Sequence, residues 1–129
     1  MSTSTTDLDA LIRRAVEALV DAGARVVFLH GSQATGQAGP ASDIDLAALF
    51  DEPAPAPFDI PLPTGVDLLV LNEAPLEVAG RIALHGRVVH ESDMFERVDW
   101  QARTRKIYLD ERPRIERARA EFLEAMSRG

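Results

Sequence analysis

The most constraining feature of this sequence is a pair of aspartates inside an apolar segment, Asp43 and Asp45 in DIDLAALF. Residues i and i+2 of a β-strand point to the same face, so a strand over 43–50 places both carboxylates together, with Cα atoms about 7 Å apart. The alternate residues form a wholly apolar opposite face, suited to packing on helices: Ile44, Leu46, Ala48 and Phe50. The pattern predicts a strand with one core face and one face that opens with two carboxylates.

A third aspartate, Asp67, lies inside the next apolar segment, GVDLLVLN, whose β-branched residues and leading glycine favour a strand. If the two strands are neighbours, Asp67 joins the face of Asp43 and Asp45. Such carboxylates repel each other, and Mg²⁺, which takes oxygen ligands from carboxylates and substrate phosphates, removes the repulsion. Three carboxylates suit two metal ions that bridge attacking and leaving oxygens. Capping of a turn is the competing explanation, and it accounts for Asp43 alone.

A Gly-Ser pair, Gly31 and Ser32, directly follows the apolar run ARVVFLH, which is predicted to be a strand. Glycine lets backbone amides approach an anion closely, and the serine hydroxyl adds a hydrogen-bond donor. A helix opening at Ser32 would add its first amides. The pair alone is a weak signal, but beside an Asp-x-Asp strand it predicts a phosphate-binding loop next to a metal site.

The composition limits the classes of protein to consider. The 129 residues are enough for one domain with a real core, and the chain has no cysteine for a disulfide, a thiol nucleophile or a cysteine-based zinc site. The net charge of −7 argues against broad binding to nucleic acid. The longest apolar runs are too short for a membrane span, and the charged N-terminus does not resemble a secretory signal, so we expect a cytoplasmic protein.

Helical and strand periodicities alternate along the chain and predict a single domain over 1–129, with a core of about 7–92 and a C-terminal helical segment of about 93–126. Pro113 is expected to break or kink that segment in its middle. A proline-rich stretch over 52–64 is predicted to be an extended surface loop. The fold class is therefore α/β (α+β), a small mixed sheet with helices packed on one face. The predicted elements are a helix at 7–22, strands at 24–30, 43–50, 65–72 and 87–92, and a helix within 75–86.

These residues resemble a known family. Gly31-Ser32, ten further residues and then Asp43-Ile44-Asp45 are similar to the G-S-x10-D-x-D signature of polymerase β-like nucleotidyltransferases. Asp67 matches that superfamily's third carboxylate. The short chain and the segments VDLLVLNEAP and RIALHGRVVHESD resemble the minimal nucleotidyltransferases, the MntA-like antitoxins of HEPN/MNT toxin–antitoxin pairs.

The resemblance implies the small mixed-sheet nucleotidyltransferase core with C-terminal helices. It implies an antitoxin that transfers AMP from ATP, with Mg²⁺, to a tyrosine hydroxyl of a HEPN-domain RNase toxin and releases pyrophosphate. Asp43 and Asp45 would bind metal, Asp67 would bind metal and activate the incoming hydroxyl, and Gly31 and Ser32 would hold the triphosphate. The partners would be ATP and the toxin in a hetero-oligomer, without nucleic acid or membrane.

Two departures keep alternative functions open. Gln33 and Thr35 occupy positions where many relatives carry arginine, and the proline-rich loop replaces a helix. A weak or inactive antitoxin that acts by direct binding of the toxin is therefore a second hypothesis, and nucleotide transfer to a small molecule is a third. The histidines His30, His85 and His90 are expected to be structural. Trp100 and Tyr108, beside the basic residues at 103, 105 and 106, fit either a partner surface or the core.

Overall fold

A computed structural model describes residues 5–31 and 43–128 of the chain. Three helices and four strands follow each other as α1 (Thr5–Asp21), β1 (Ala24–His30), β2 (Ile44–Phe50), β3 (Val66–Val70), α2 (Leu76–His85), β4 (Arg87–Glu91) and α3 (Met94–Arg128). Short 3-10 turns lie at Pro57–Asp59 and Leu71–Glu73. The elements predicted from periodicity are thus present, with bounds that differ by a few residues.

The four strands form one mixed sheet in the order β3-β2-β1-β4. β1 is antiparallel to both β2 and β4, whereas β2 and β3 are parallel. The parallel pair places Asp45 directly beside Asp67, and the antiparallel pair places His30 beside Asp45. The sheet topology therefore brings the end of β1 to the beginnings of β2 and β3.

Helices cover both faces of the sheet, which differs from the predicted single covered face. One face packs on α1, whose apolar side chains recur at helical spacing and include the buried Ile12 and Leu19. The face of β2 in this first core is the predicted one: Ile44, Leu46, Ala48 and Phe50. On the other face, Phe28 and Ala47 form a second core with Ile82 of α2. The second core exists because β1 is apolar on both sides, as expected for a strand buried on both faces.

The C-terminal helix α3 is continuous through Pro113, so the predicted break at this residue is wrong. Proline removes one backbone hydrogen bond, to the carbonyl four residues earlier, which belongs to Leu109. Leu109 lies on an exposed stretch of the helix, where water can hydrogen-bond to that carbonyl. The helical bonds on either side remain available, and the helix extends without interruption to Arg128.

The proline-rich segment between β2 and β3 is anchored to the first core. Ile60 is 6 % exposed and belongs to the same cluster as α1, and Ala54 and Leu62 pack against that cluster. Asn72, after β3, accepts a hydrogen bond from the Phe50 amide and donates one to the Phe50 carbonyl, both at 2.9 Å. The segment thus lies on the α1 side of the sheet, and the ends of β2 and β3 are tied together.

No helix in the described part of the chain is long and apolar enough to cross a membrane.

Candidate active site

Three polar side chains form a row across the sheet on the face that carries α2 and α3. Asp67 on β3 pairs with Asp45 on β2, and Asp45 pairs with His30 at the end of β1. The face is identified by the strand neighbours two residues away, Phe28 and Ala47, which lie in the second core. The row therefore lies on the same sheet face as the second core, at the end of the sheet where this face becomes accessible to solvent.

Asp43 lies just before β2, one residue outside the strand on which it was predicted to lie together with Asp45. Its neighbour Ile44 starts the strand, and the Ile44 amide donates a 2.9 Å hydrogen bond to the Gly65 carbonyl. Asp43 is exposed, as is Asp67, whereas Asp45 is partly buried. Ser32, the second residue of the predicted phosphate loop, lies outside the described residues.

Gly31 directly follows β1 and has a backbone φ of +72°, a conformation that residues with a side chain rarely adopt. The Oδ2 atom of Asp45 lies 2.5 Å from the position that a Cβ of residue 31 would occupy. A Cβ at that distance would overlap the carboxylate, since real Cβ contacts are longer. The absence of a side chain at Gly31 therefore lets the carboxylate of Asp45 lie against the backbone of the turn.

His30 is half-buried in this row, and its surroundings shift the pKa of its imidazole in opposite directions. Burial lowers the pKa of the imidazole, because a charged ring loses solvation there. The negative charge of Asp45 and a hydrogen bond to the Leu46 backbone act in the opposite direction and raise the pKa by less. The net shift is downward, so the neutral imidazole is the favoured form next to Asp45.

The donor chemistry of the row fits a hard divalent cation. Asp45 and Asp67 offer carboxylate oxygens from adjacent residues, and Mg²⁺ is usually held by one or two carboxylates together with substrate phosphates. Among residues 5–31 and 43–128, however, no group of three or more His, Cys, Asp or Glu side chains is arranged to hold a metal ion. The pair fits an ion that substrate oxygens help to bind, and the three-carboxylate set remains a prediction.

Most other residues singled out in the sequence serve the fold. The rings of Trp100 and Phe28 have centroids 5.3 Å apart, so Trp100 packs on the second core. Tyr108 is 7 % exposed and contacts α2 at Gly80. Arg103 and Lys106 pair with acidic residues one turn away on α3 itself. Arg105, in contrast, donates a hydrogen bond to the Ala83 carbonyl of α2, so it helps to hold α3 against α2.

Residues of α2 border the candidate site, and sequence reasoning assigned none of them to it. Val78, Arg81, Ile82 and His85 line a cavity next to His30 and Gly31. Their spacing of three and four residues was visible in the sequence and indicates one shared helix face. The face alone did not reveal that α2 lies over the end of β1.

Comparison with known proteins places this arrangement in a family. Residues 21–95, more than half of the chain, match the family model described as polymerase beta, nucleotidyltransferase. The match spans both the strand that ends at Gly31 and the strands that carry Asp45 and Asp67. No curated protein has a significantly similar sequence.

Several solved structures share the fold at low sequence identity. A chain of a toxin–antitoxin complex with AMP-PNP superposes with a TM-score of 0.73 at 18 % identity, over 86 % of this chain and 97 % of that chain. A chain of the MntA–HepT toxin–antitoxin complex gives 0.70 at 16 % identity, over 89 % and 98 %. A chain of the complex between the tri-AMPylated HEPN toxin of Shewanella oneidensis and its MNT antitoxin gives 0.59 at 15 %, over 85 % and 97 %. These similarities establish the fold of the part of the chain that they cover.

Proposed function

Because the chain belongs to the polymerase β nucleotidyltransferase family, we propose that it transfers AMP from ATP to a hydroxyl group of a partner protein. The observation that carries the proposal is the in-register pair Asp45 and Asp67, next to the glycine turn at Gly31. Adjacent like charges destabilise a sheet, so their presence here favours a site that binds a cation or a phosphate–cation complex. The protein is therefore proposed to be an adenylyltransferase.

The reaction needs positioning and charge neutralisation more than covalent chemistry from the protein. The hydroxyl oxygen of the acceptor forms a bond to the α-phosphorus of ATP, and the bond between that phosphorus and the bridging oxygen of pyrophosphate breaks. Asp67, exposed on β3, accepts the hydroxyl proton, and pyrophosphate leaves with the electron pair of the broken bond. Gly31 and Ser32 bind the leaving phosphates through backbone amides and the serine hydroxyl.

The same carboxylates would hold Mg²⁺, with Asp43 joining Asp45 and Asp67 when substrate is present. When bound there, the ions neutralise the phosphate charge and polarise the bond that breaks. Two ions are proposed, because three carboxylates would supply enough ligand oxygens for two together with the substrate phosphates. The residues contribute the ligand oxygens and the fixed spacing set by the strand register.

The proposed partner is a HEPN-domain toxin, and the proposed acceptor is a tyrosine hydroxyl. Support comes from the fold neighbours, which include a complex of a tri-AMPylated HEPN toxin with an MNT antitoxin. The modification would neutralise the toxin within a cytoplasmic hetero-oligomer of the two proteins. The buried Tyr108 is a poor acceptor, because its side chain packs on α2, so the acceptor is proposed to belong to the partner.

A transfer assay with two differently labelled ATP molecules tests the proposal. The purified protein and its partner are incubated with Mg²⁺ and ATP labelled at either the α- or the γ-phosphate. The proposed reaction moves the α label to the partner and releases the γ label as pyrophosphate. Transfer of the γ label would indicate a kinase reaction instead, and absence of any transfer despite a stable complex would support an antitoxin that acts by direct binding.

A further inference from the structure

The C-terminal part of α3 extends beyond the helix on which α3 packs. The Arg119 guanidinium binds the Glu77 carboxylate in the first turn of α2, and this is the last ion pair that the described residues of α3 make with another element. Residues 120–128 are all exposed, and the hydrogen bond and ion pair found among them stay within α3. We call residues 120–128 the free end of α3. At about 1.5 Å per residue, the free end is roughly 14 Å long.

The free end carries an apolar stripe that continues the packing face of α3. Tyr108, Ile115 and Phe122 follow each other at intervals of two helical turns, so they lie on one face. Tyr108 is buried against α2 and Ile115 is partly buried, whereas Phe122 is 63 % exposed. Leu123 and Met126 border Phe122 on this face and are 58 % and 64 % exposed. The face that packs on α2 therefore remains apolar where α2 no longer covers it.

The charges around the stripe indicate what kind of surface can cover it. Four arginines of the C-terminal half of α3 form ion pairs with glutamates: Arg112, Arg114, Arg119 and Arg128. A helix that binds a lipid surface or a nucleic acid needs basic side chains that are free to contact phosphate groups. The glutamates interspersed here repel such groups as well. The stripe therefore fits an apolar surface of another protein.

The size of the stripe argues against a second copy of this chain as its occupant. A covered aromatic side chain buries about 150–250 Å², so three large side chains that are about three-fifths exposed offer roughly 350 Å². Two copies packed stripe to stripe would bury roughly 700 Å² in total, which is below the roughly 1,200 Å² of a stable specific interface. A groove in a partner protein buries more, because it contacts the stripe and both flanks of the helix.

We propose that the free end of α3 docks in an apolar groove of the HEPN-domain partner, with Phe122 and Met126 as the side chains that fill the groove. The inference rests on the proposed function, which requires a complex with a protein that carries the acceptor hydroxyl. Helix-in-groove recognition uses apolar side chains on one helix face, as the stripe presents them. Docking and transfer then use different parts of the chain, with α3 supplying affinity and the carboxylates on the sheet supplying the chemistry.

The test measures the affinity of the HEPN-domain partner for three forms of the full chain, together with AMP transfer. Phe122→Ala/Met126→Ala removes two side chains of the stripe and introduces a good helix former at both positions. The matched control is Ile107→Ala/Leu109→Ala, whose residues are 47 % and 48 % exposed and lie on either side of the buried Tyr108, outside the stripe. Circular dichroism checks that each form keeps its helix content.

The stripe variant should bind the partner about 10- to 100-fold more weakly than the wild type and the control, as expected when interface hot spots are removed. Its KM for the partner should rise, while kcat at saturating partner stays within about twofold, because the carboxylates are unchanged. Equal affinity of all three forms would overturn the docking inference. A wild-type dimer that the stripe substitutions dissociate would overturn it as well, since a second copy would then cover the stripe.

The proposed function is tested separately by Asp67→Asn, which should bind the partner as tightly as the wild type and transfer no AMP. If the wild type bound the partner through the stripe but transferred no AMP, the proposed function would fail and the docking inference would stand. If the wild type transferred AMP and the stripe variant bound the partner equally well, only the docking inference would fail.

Discussion

The Oδ2 atom of Asp45 lies 2.5 Å from the place where a Cβ of Gly31 would be. Two independent features thus require glycine at this position: the backbone φ of +72° and the close approach of the carboxylate. The turn after β1 consequently leaves just enough room for the Asp45 carboxylate of β2. This contact joins the two halves of the sequence signature, the glycine turn and the Asp-x-Asp strand.

The first prediction separates these two features with a pair of glycine substitutions. Gly31→Ala should displace the Asp45 carboxylate, abolish measurable AMP transfer and destabilise the fold by about 1–3 kcal/mol. Gly65→Ala is the control, because Gly65 also has a positive φ, +89°, but no atom within 4 Å of its Cβ position. The control should lose stability through backbone strain of about 1–2 kcal/mol and keep its activity. Denaturant unfolding and the transfer assay provide both readouts, and equal losses of activity would contradict the prediction.

The second prediction concerns the charge repulsion between Asp45 and Asp67. Asp67→Asn keeps the shape of the side chain and removes one of two adjacent negative charges, so the metal-free protein should become more stable by about 0.2–1 kcal/mol. Mg²⁺ should raise the melting temperature of the wild type more than that of the variant. Thermal unfolding with and without Mg²⁺ measures both effects.

The control for this second prediction is Asp21→Asn, an exposed aspartate at the end of α1. It should leave the response to Mg²⁺ unchanged. A wild type that gains no stability from Mg²⁺ in the presence of a nonhydrolysable ATP analogue would count against the metal site at the carboxylate pair.

The third prediction concerns the packing of α2 on α3 through Gly80 and Tyr108. A Cβ at Gly80 would overlap the Tyr108 ring, so Gly80→Ala should destabilise the protein by about 1–3 kcal/mol, although alanine alone favours a helix by about 1 kcal/mol. In a Tyr108→Ala background the same change should cost clearly less, because the ring is gone, although the Cβ of residue 108 still lies 2.6 Å from the added Cβ position. Denaturant unfolding of the four proteins gives the coupling energy. A coupling energy near zero would mean that the two residues do not restrict each other.

The fourth prediction follows from the position of His30 beside Asp45. NMR titration should give a His30 pKa below the ordinary value of about 6.5, because burial outweighs the carboxylate. The native state should therefore lose stability as the pH falls below about 6.5, since the unfolded chain binds a proton more readily there. Asp45→Asn should lower the pKa further, because it removes the charge that raises it. An unchanged His30 pKa in Asp45→Asn would show that the Asp45 charge does not act on the imidazole, and a raised one would contradict the prediction as well.

Much of the candidate site was predictable because side chains alternate between the two faces of a strand, so one apolar face determines the face of every other residue. The apolar set from Ile44 to Phe50 determined which face of β2 is buried, and that assignment is confirmed. The second and third strands are neighbours, which was the condition for Asp67 to join this face, and Asp45 lies directly beside Asp67. Asp43 was placed on the same strand face by the same rule, but the strand begins one residue later.

The remaining features depend on long-range packing that local patterns do not specify. The second covered face arises from the pairing of β1 with β4 and the packing of α2 and α3. The unbroken apolar run from Val26 to Leu29 indicated this second covered face, because a strand with only one buried face alternates between apolar and polar residues. Pro113 was expected to break or kink α3, and the break is absent because one lost hydrogen bond on an exposed helix does not end it. The cavity between α2 and the end of β1 depends on how the helix packs across the strand, and sequence periodicity does not predict this packing.

The proposed AMP transfer to a partner protein depends on the Asp45–Asp67 pair. Intact-mass spectrometry of the partner, co-expressed with the wild type, with Asp45→Asn/Asp67→Asn or with the control Asp9→Asn/Asp21→Asn, tests it most directly. The expected result is a mass increase of one or more AMP units with the wild type and the control, and an unmodified partner with the carboxylate variant. A partner that is modified equally with all three, or with none of them while still co-purifying, would contradict it.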